Sequence, residues 1–166
     1  IARAARHARA GNEARILITV NALTETQAIQ ALYRASHAGV KLDLVVRGMC
    51  CLRPGIPGIS DNIRVRSVVG RFLEHTRVYL FHNNGDEQLF WASADLMERN
   101  MFNRVEVAFP ILDESFRERI ISELHLYLSD NTQAWTLNAD GNYTRETETE
   151  TPLTAQNMLL ESLAES

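Results

Sequence analysis

Lysine is almost absent from this sequence: Lys41 is the single lysine among 17 basic residues. Cysteine is also scarce, and the two present, Cys50 and Cys51, are adjacent. Adjacent cysteines rarely bridge each other, and no spaced Cys/His set suggests zinc, so we expect small buried thiols in a reducing, cytosolic compartment. No apolar run approaches the roughly 20 residues that a membrane-spanning helix needs. We therefore expect a cytoplasmic protein without a transmembrane segment, and leave open a peripheral place at the membrane.

The first residue is not methionine, and the opening is rich in alanine and arginine, which predicts a helix over residues 3–10. We expect this chain to be a piece of a larger protein, either naturally or by truncation. With 166 residues, 45% of them hydrophobic, it is long enough for one domain with its own core. We assign residues 1–166 to that domain, with a core at about 12–145 and a peripheral tail at about 150–166.

Charge is unevenly distributed along the chain. The formal net charge is -4 and the pI is near 5.7, which argues against nucleic acid as a partner. The segment from residue 47 to 77 nevertheless contains six arginines against two acids, Asp61 and Glu74. Arginine binds phosphate through a planar fork of donors, so this segment predicts an anionic ligand. A general bias toward arginine would explain the composition of the whole chain, but not the clustering.

Apolar patterning predicts an α/β fold. Residues 14–21 and 41–48 read as strands, and Thr24 with Gln27 forms a capping box for the helix between them, which Gly39 ends. Strand, helix, strand predicts a parallel pair with a right-handed crossover. Further segments have these expected structures: a loop at 50–62, strands at 63–69 and 104–111, hairpins at 77–93 and around 139–141, a helix capped by Asp113 and ending near 129, and a weak final helix. The prediction is a mixed β-sheet flanked by helices on both faces, with ligands at the carboxyl ends of its strands.

Three residues are candidates for chemistry. His75 lies among charged residues just before a predicted strand, and an imidazole suits general acid–base catalysis near neutral pH. Arg47 ends one predicted strand and Arg104 precedes another, where guanidinium groups could hold phosphate oxygens. A structural histidine and arginines that pair with carboxylates remain the plainer alternatives. The loop at 50–62 lacks the spacing and the terminal Lys-Ser/Thr of a P-loop.

Longer motifs carry a family resemblance. LYRASHAGVKLDLVVRGMCCLRPG, SDNIRVRSVVGRFLEHTR and SADLMERNMFNRVEV closely resemble the last catalytic domain of polyphosphate kinase, the long multi-domain type. The similarity covers about residues 12–145. It departs from the usual family pattern at residues 19–22, at Leu96 and at Glu98, none of which is a candidate site residue.

The resemblance implies a phospholipase D-like fold and a site shared between two facing catalytic domains. The family moves the terminal phosphate of ATP reversibly onto polyphosphate through a phosphohistidine, which would lie in the preceding domain and outside this chain. By position in the motifs, His75 corresponds to a second active-site histidine and candidate general acid, and Arg47 and Arg104 correspond to ATP or phosphate-binding arginines. ATP/ADP and polyphosphate are the implied ligands. The resemblance also implies Mg2+ and a homo-oligomer for the full-length enzyme, with no metal ligand placed in this chain.

These implications lead us to expect that the isolated chain is inactive, because its nucleophile would be missing. Two alternatives stay open. One is a phospholipase D-like phosphodiester hydrolase, since His75-Thr76-Arg77 mimics the H-x-K half of that signature with arginine in place of lysine. The other is a phosphate-binding domain without catalysis.

Overall fold

A computed structural model describes residues 1–146 and 151–164 of the chain. The strands are β1 (Ala14–Val20), β2 (Lys41–Val46), β3 (Ile63–Val68), β4 (Val78–Asn83), β5 (Asp86–Ala92), β6 (Ala108–Pro110), β7 (Ala134–Leu137) and β8 (Tyr143–Arg145). The helices are α1 (Ala2–Arg9), α2 (Thr26–His37), α3 (Glu98–Phe102), α4 (Glu114–Ser129) and α5 (Ala155–Ala164). None of the helices in the described ranges combines the length and apolarity that crossing a membrane requires.

All eight strands join one mixed sheet, in the order β6-β5-β4-β1-β2-β3-β7-β8. The predicted parallel pair is confirmed, with Ile18 opposite Leu44, and β3 extends it in parallel. On the other side of β1, strand β4 runs antiparallel and continues into β5 through a two-residue turn. Asn84 and Gly85 both have positive φ in that turn, which matches the twist of a tight hairpin.

Helices cover both faces of the sheet, as the sequence predicted. Alternate residues of β1 point to opposite faces. Ile16 and Ile18 lie in a core that includes α1 and α2, whereas Leu17 packs with Ile120 and Leu124 of α4. The sheet is therefore buried at its centre, and its functional groups collect where the central strands end.

Two local predictions are wrong. The α2 helix is capped by Glu25, whose carboxylate accepts from the backbone N–H groups of Gln27 and Ala28 at 2.8 and 2.6 Å, and not by a Thr24 capping box. Residues 104–107 are not strand, so only Ala108–Pro110 pair with β5. The ladder stops because the N–H of Val107 donates to the side-chain Oγ of Ser93, 3.0 Å away, in place of a backbone carbonyl.

The two cysteines also depart from expectation, because only one is shielded. Cys50 is half-buried, and burial raises the pKa of its thiol to about 11. Cys51 is exposed. Both thiols are free.

Candidate functional site

The carboxyl ends of β1 and β2 meet the start of β4 and the end of β5 at one edge of the sheet. Backbone hydrogen bonds join these segments beyond the strands themselves. The N–H of Gly48 donates to the carbonyl of Asn21 at 2.8 Å, and the N–H of Leu96 donates to that of Ala22 at 3.1 Å. Leu23 bridges to both Cys50 and Leu96. This edge is consequently a rigid platform that carries polar side chains from four segments.

A buried ion pair lies at the centre of the edge. The guanidinium of Arg77 binds the carboxylate of Asp95 through two bonds, Nε to Oδ1 at 3.1 Å and Nη2 to Oδ2 at 2.9 Å. The side chains are only 12% and 5% exposed. Asp95 Oδ1 also accepts from the backbone N–H groups of Asn21 at 2.7 Å and Ala22 at 3.3 Å. Asp95 therefore fixes Arg77 to the end of β1.

The charge state of Asp95 follows from these contacts. Burial by itself would raise the pKa of this carboxyl. The hydrogen bonds from Arg77, the Asn21 N–H, the Arg77 charge and the Ala22 N–H together outweigh burial, and the pKa lies below its ordinary value. Asp95 is thus a firmly ionised partner for Arg77 at neutral pH.

His75 is exposed to solvent and contacts the outer side of the same guanidinium. Arg77 Nη1 lies 3.0 Å from Nδ1 of His75 and 3.1 Å from its carbonyl oxygen, and Nη2 lies 3.3 Å from Nε2. Because a guanidinium can only donate, a ring nitrogen that hydrogen-bonds to it acts as the acceptor, and both ring nitrogens of His75 lie within 3.3 Å of Arg77. The chain Asp95–Arg77–His75 therefore orients the imidazole.

Arg47 joins the network from β2. Its Nε donates to the Oδ1 of Asn21 at 2.9 Å, and the backbone N–H of the same asparagine donates to Asp95. Asn21 Nδ2 is buried and has no hydrogen-bond partner among residues 1–146 and 151–164. Arg47 is half-buried and lines a cavity of about 60 Å³, together with residues of β1 to β5, of the loop before β4 and of α4, among them Thr19 and Glu74. Arg47 and His75 are thus connected through three intervening side chains.

Arg104 is exposed and lies in the loop after α3, so it approaches the edge from another side. The link is Glu106, which accepts hydrogen bonds from the Ser93 hydroxyl and from Asn100 Nδ2. Those two bonds, then the charges of Arg104 and Arg77, lower the pKa of Glu106 against a small opposing effect of burial. Both guanidinium groups therefore lie within electrostatic reach of one carboxylate.

The structure thus places the three sequence-predicted residues at one edge, where a hydrogen-bonded chain through Asn21, Asp95 and Arg77 connects Arg47 with His75 but does not include Arg104. The residues that organise the edge, Asp95 and Asn21, were not among the candidates. Asn21 ends the predicted strand at 14–21 and Asp95 lies just after the predicted hairpin at 77–93, so a polar side chain near a strand end was the signal available. Nothing in the local sequence indicated that Asp95 pairs with Arg77, 18 residues earlier.

The carboxylates at this edge do not present a metal centre. Across the described ranges, no group of three or more His, Cys, Asp or Glu side chains converges on a point where it could hold a metal ion. Asp95 and Glu106 each accept hydrogen bonds at both carboxylate oxygens. The groups that remain at this edge are guanidinium, imidazole and amide groups, a set of donors suited to phosphate oxygens.

Comparison with known proteins identifies the chain's relatives. The family model described as polyphosphate kinase C-terminal domain 2 matches residues 1–156. The chain is 56% identical over 166 residues to the polyphosphate kinase of Pseudomonas aeruginosa, covering 99% of this chain and 24% of that protein. It is 58% identical over 160 residues to that of Xylella fastidiosa Temecula1, covering 94% of this chain and 23% of the relative. The chain spans about a quarter of the length of these curated relatives.

Comparison with solved structures agrees with these sequence matches. The crystal structure of polyphosphate kinase from Porphyromonas gingivalis superposes with a TM-score of 0.94 at 41% identity, over 99% of this chain and 25% of that one. Nuc from Salmonella typhimurium, a phospholipase D family member, gives a TM-score of 0.56 at 15% identity, over 86% of this chain and 88% of that one. The second likeness shows a phospholipase D-like fold. The match of the family model over nearly the whole chain shows that the chain belongs to the family of the second C-terminal domain of polyphosphate kinase.

Proposed function

We propose that residues 1–166 form the last catalytic domain of a polyphosphate kinase, which reversibly transfers the terminal phosphate of ATP to polyphosphate. In this proposal the phosphoryl group passes through a phosphohistidine in a preceding domain, outside this chain. The P–O bond to ADP breaks as the P–N bond to that histidine forms, and polyphosphate then accepts the phosphoryl group. The chain by itself would bind phosphates without turning over. The complete enzyme, as a cytoplasmic homo-oligomer, would complete the cycle.

The observation that carries this proposal is the hydrogen-bonded network from Arg47 through Asn21, Asp95 and Arg77 to His75. Phosphoryl transfer requires little covalent help from the protein, and gains most from donors held in place around the transferring oxygens. Arg47 and Arg104 would bind phosphate oxygens of ATP/ADP or of polyphosphate. His75 would be the candidate general acid for a leaving phosphate oxygen, with its imidazole oriented by the contacts to Arg77.

Magnesium, which polyphosphate kinases are expected to use, would neutralise charge on the nucleotide phosphates. Asp95 and Glu106 do not fit as its ligands, since hydrogen bonds occupy the oxygens of both. We therefore assign no magnesium ligand within this chain. The role of the chain is derived from its own cationic and amide donors alone.

Calorimetric titration of the chain with ATP, and separately with tripolyphosphate, tests the assignment. Each of the variants His75→Ala, Arg47→Ala and Arg104→Ala removes one charge-assisted contact, so binding should weaken by about tenfold or more. Arg9→Ala is the matched control, because Arg9 is an exposed arginine on α1 and far in sequence from the edge. If all four variants bind both ligands as tightly as the parent chain does, the assignment of the site is refuted.

A phosphodiester hydrolase is the competing function, since Nuc shares the fold. The Arg77 that replaces the lysine of the H-x-K pattern is bound in two places to Asp95 and is largely buried, so it is poorly placed to contact a substrate phosphate. Turnover of bis(p-nitrophenyl) phosphate by the chain, lost in His75→Ala, would favour the hydrolase over the kinase.

A further inference from the structure

The segment that carries His75 is a loop without regular secondary structure. Residues 69–77 connect β3 to β4, and the backbone bond from Val69 to Gln133 is long, at 3.5 Å. Leu73 is 70% exposed, and Phe72 contributes mainly a stacking contact under the Arg71 guanidinium. Such a loop has little packing of its own with which to hold an imidazole in one position.

The contacts that hold this loop come from the other end of the sequence. The side chain of Gln156, in the first turn of α5, is 3% exposed and pairs with the backbone of Phe72 in both directions. Its Oε1 accepts from the Phe72 N–H at 3.0 Å, and its Nε2 donates to the Phe72 carbonyl at 2.9 Å. Nε2 also donates to Oε1 of Glu74 at 2.6 Å. One amide therefore satisfies three groups of the loop, the last of which adjoins His75.

A second anchor completes the hold on Glu74. The hydroxyl of Tyr127 on α4 donates to Glu74 Oε2 at 2.6 Å. Burial, and then the bond to Glu74, raise the pKa of Tyr127 above its ordinary value, so this hydroxyl stays a donor. Each oxygen of Glu74 is thereby bound by a different helix.

The start of α5, which carries Gln156, is itself anchored by a hydrogen bond to Asp130. Asp130 is fully buried, and its Oδ2 accepts from the N–H of Ala155 at 2.8 Å while its Oδ1 accepts from the N–H groups that begin β7. The loop also fits closely against Gln156: a Cβ placed on Gly70 would lie 2.4 Å from Gln156 Oε1 and 2.2 Å from Gln133 Oε1. A side chain at position 70 would therefore have to displace the amide ends of Gln133 and Gln156.

We propose that α5 acts as a clamp on the loop at residues 69–77, which carries His75, and that Gln156 is a positioning residue for His75. Gln156 does not contact a substrate in this proposal. It sets the path of residues 70–74, and so sets where the imidazole lies relative to Arg77. The inference rests on the proposed function of His75, but the clamp itself is a statement about the loop.

Nuclear magnetic resonance on the 166-residue chain tests the clamp directly. In Gln156→Leu, which keeps the side-chain size, the Phe72 amide should exchange with solvent about tenfold faster. The His75 ring signal should move toward that of a free histidine, and tripolyphosphate should bind several-fold more weakly. Asn157→Leu, an exposed neighbour on the same helix, is the control and should change none of these.

A paired substitution separates positioning from a general loss of structure. Gln156→Glu sets two carboxylates against each other and should release the loop, while the double variant Glu74→Gln/Gln156→Glu restores a donor at position 74 and an acceptor at position 156. The His75 signal should return toward the parent in the double variant. If Gln156→Leu and Gln156→Glu both fold and both leave the His75 signal unchanged, the proposed clamp is overturned. Failure of the parent to bind tripolyphosphate would count against the proposed function and leave the clamp result intact.

Discussion

At the scale of single residues, the candidate site depends on Asp95, a buried carboxylate that is not expected to contact a ligand itself. Asp95 accepts four hydrogen bonds from Arg77 and the end of β1, and only through Arg77 does it affect His75. The sequence could suggest His75, Arg47 and Arg104, because histidine and arginine are residue types typical of phosphate sites. It could not suggest Asp95, because the value of a buried acceptor depends on which donors the fold brings to it.

Asp95→Asn should destabilise the chain by about 3 kcal/mol, because it leaves the Arg77 charge largely buried without its counter-ion. Urea unfolding at pH 7 measures this. Asp86→Asn is the matched control: Asp86 pairs with Arg3, but both side chains are nearly half exposed, so its loss should cost less than about 1 kcal/mol. Equal costs for the two variants would contradict the central place of Asp95.

The same pair predicts a pH dependence. The pKa of Asp95 is lower in the folded chain than its ordinary value of 3.8, so its stabilising effect is complete above that value and is lost as pH falls through the folded pKa. The stability difference between the parent and Asp95→Asn should therefore be constant from pH 7 to about pH 5 and shrink below pH 4. Urea unfolding across this range checks it, and a difference that grows on acidification would reverse the sign of the argument.

At the scale of elements, the sequence was most informative where periodicity was strong. The unit from β1 through α2 to β2, both hairpins and the Asp113 cap of α4 are confirmed. The errors lie where tertiary contacts decide. Ser93 and Glu106 hold residues 104–107 as a loop despite their alternating pattern. Similarly, the backbone N–H of Thr24 donates to the carbonyl of Leu96, and Glu25 caps α2 instead.

The capping assignment gives a direct comparison of two neighbouring residues. Glu25→Ala removes an acceptor for two N–H groups of α2 and should cost about 1–2 kcal/mol. Thr24→Ala should cost less than about 0.5 kcal/mol, because Glu25 already supplies the cap. Thermal and urea unfolding of both variants measure the difference. A larger cost for Thr24→Ala would restore the capping box that the sequence suggested.

At the scale of the whole molecule, the two ends of the chain contribute unequally to the site. The site residues lie between Asn21 and Glu106, within the range of about 12–145 that the family resemblance covers. Gln156, from the segment expected to be a peripheral tail, reaches the loop that carries His75. A contact 82 residues apart between Gln156 and Glu74 leaves no periodic trace in the sequence, so only the folded chain displays it.

The surface near β6 argues for a larger assembly than this chain. Val105 is 99% and Leu112 83% exposed, and Val107, Phe109 and Phe116 are exposed beside them. Apolar side chains so grouped are typical of a surface that another protein surface covers, and the chain spans about a quarter of its relatives. We therefore expect the isolated chain to self-associate as its concentration rises. The double variant Leu112→Ser/Phe116→Ser should reduce this association and change the free energy of unfolding by no more than about 1 kcal/mol, because both side chains are mostly exposed to solvent.

Sedimentation velocity over a concentration series measures the association. Ile59→Ser is the control, since Ile59 is exposed in a different loop and should leave association unchanged. A parent chain that stays monomeric at the concentrations used for magnetic resonance would contradict the prediction. Association lost equally in Ile59→Ser would show that general surface apolarity, and not the face around β6, causes it. Association lost only in the Leu112/Phe116 variant would locate the contact on the face around β6.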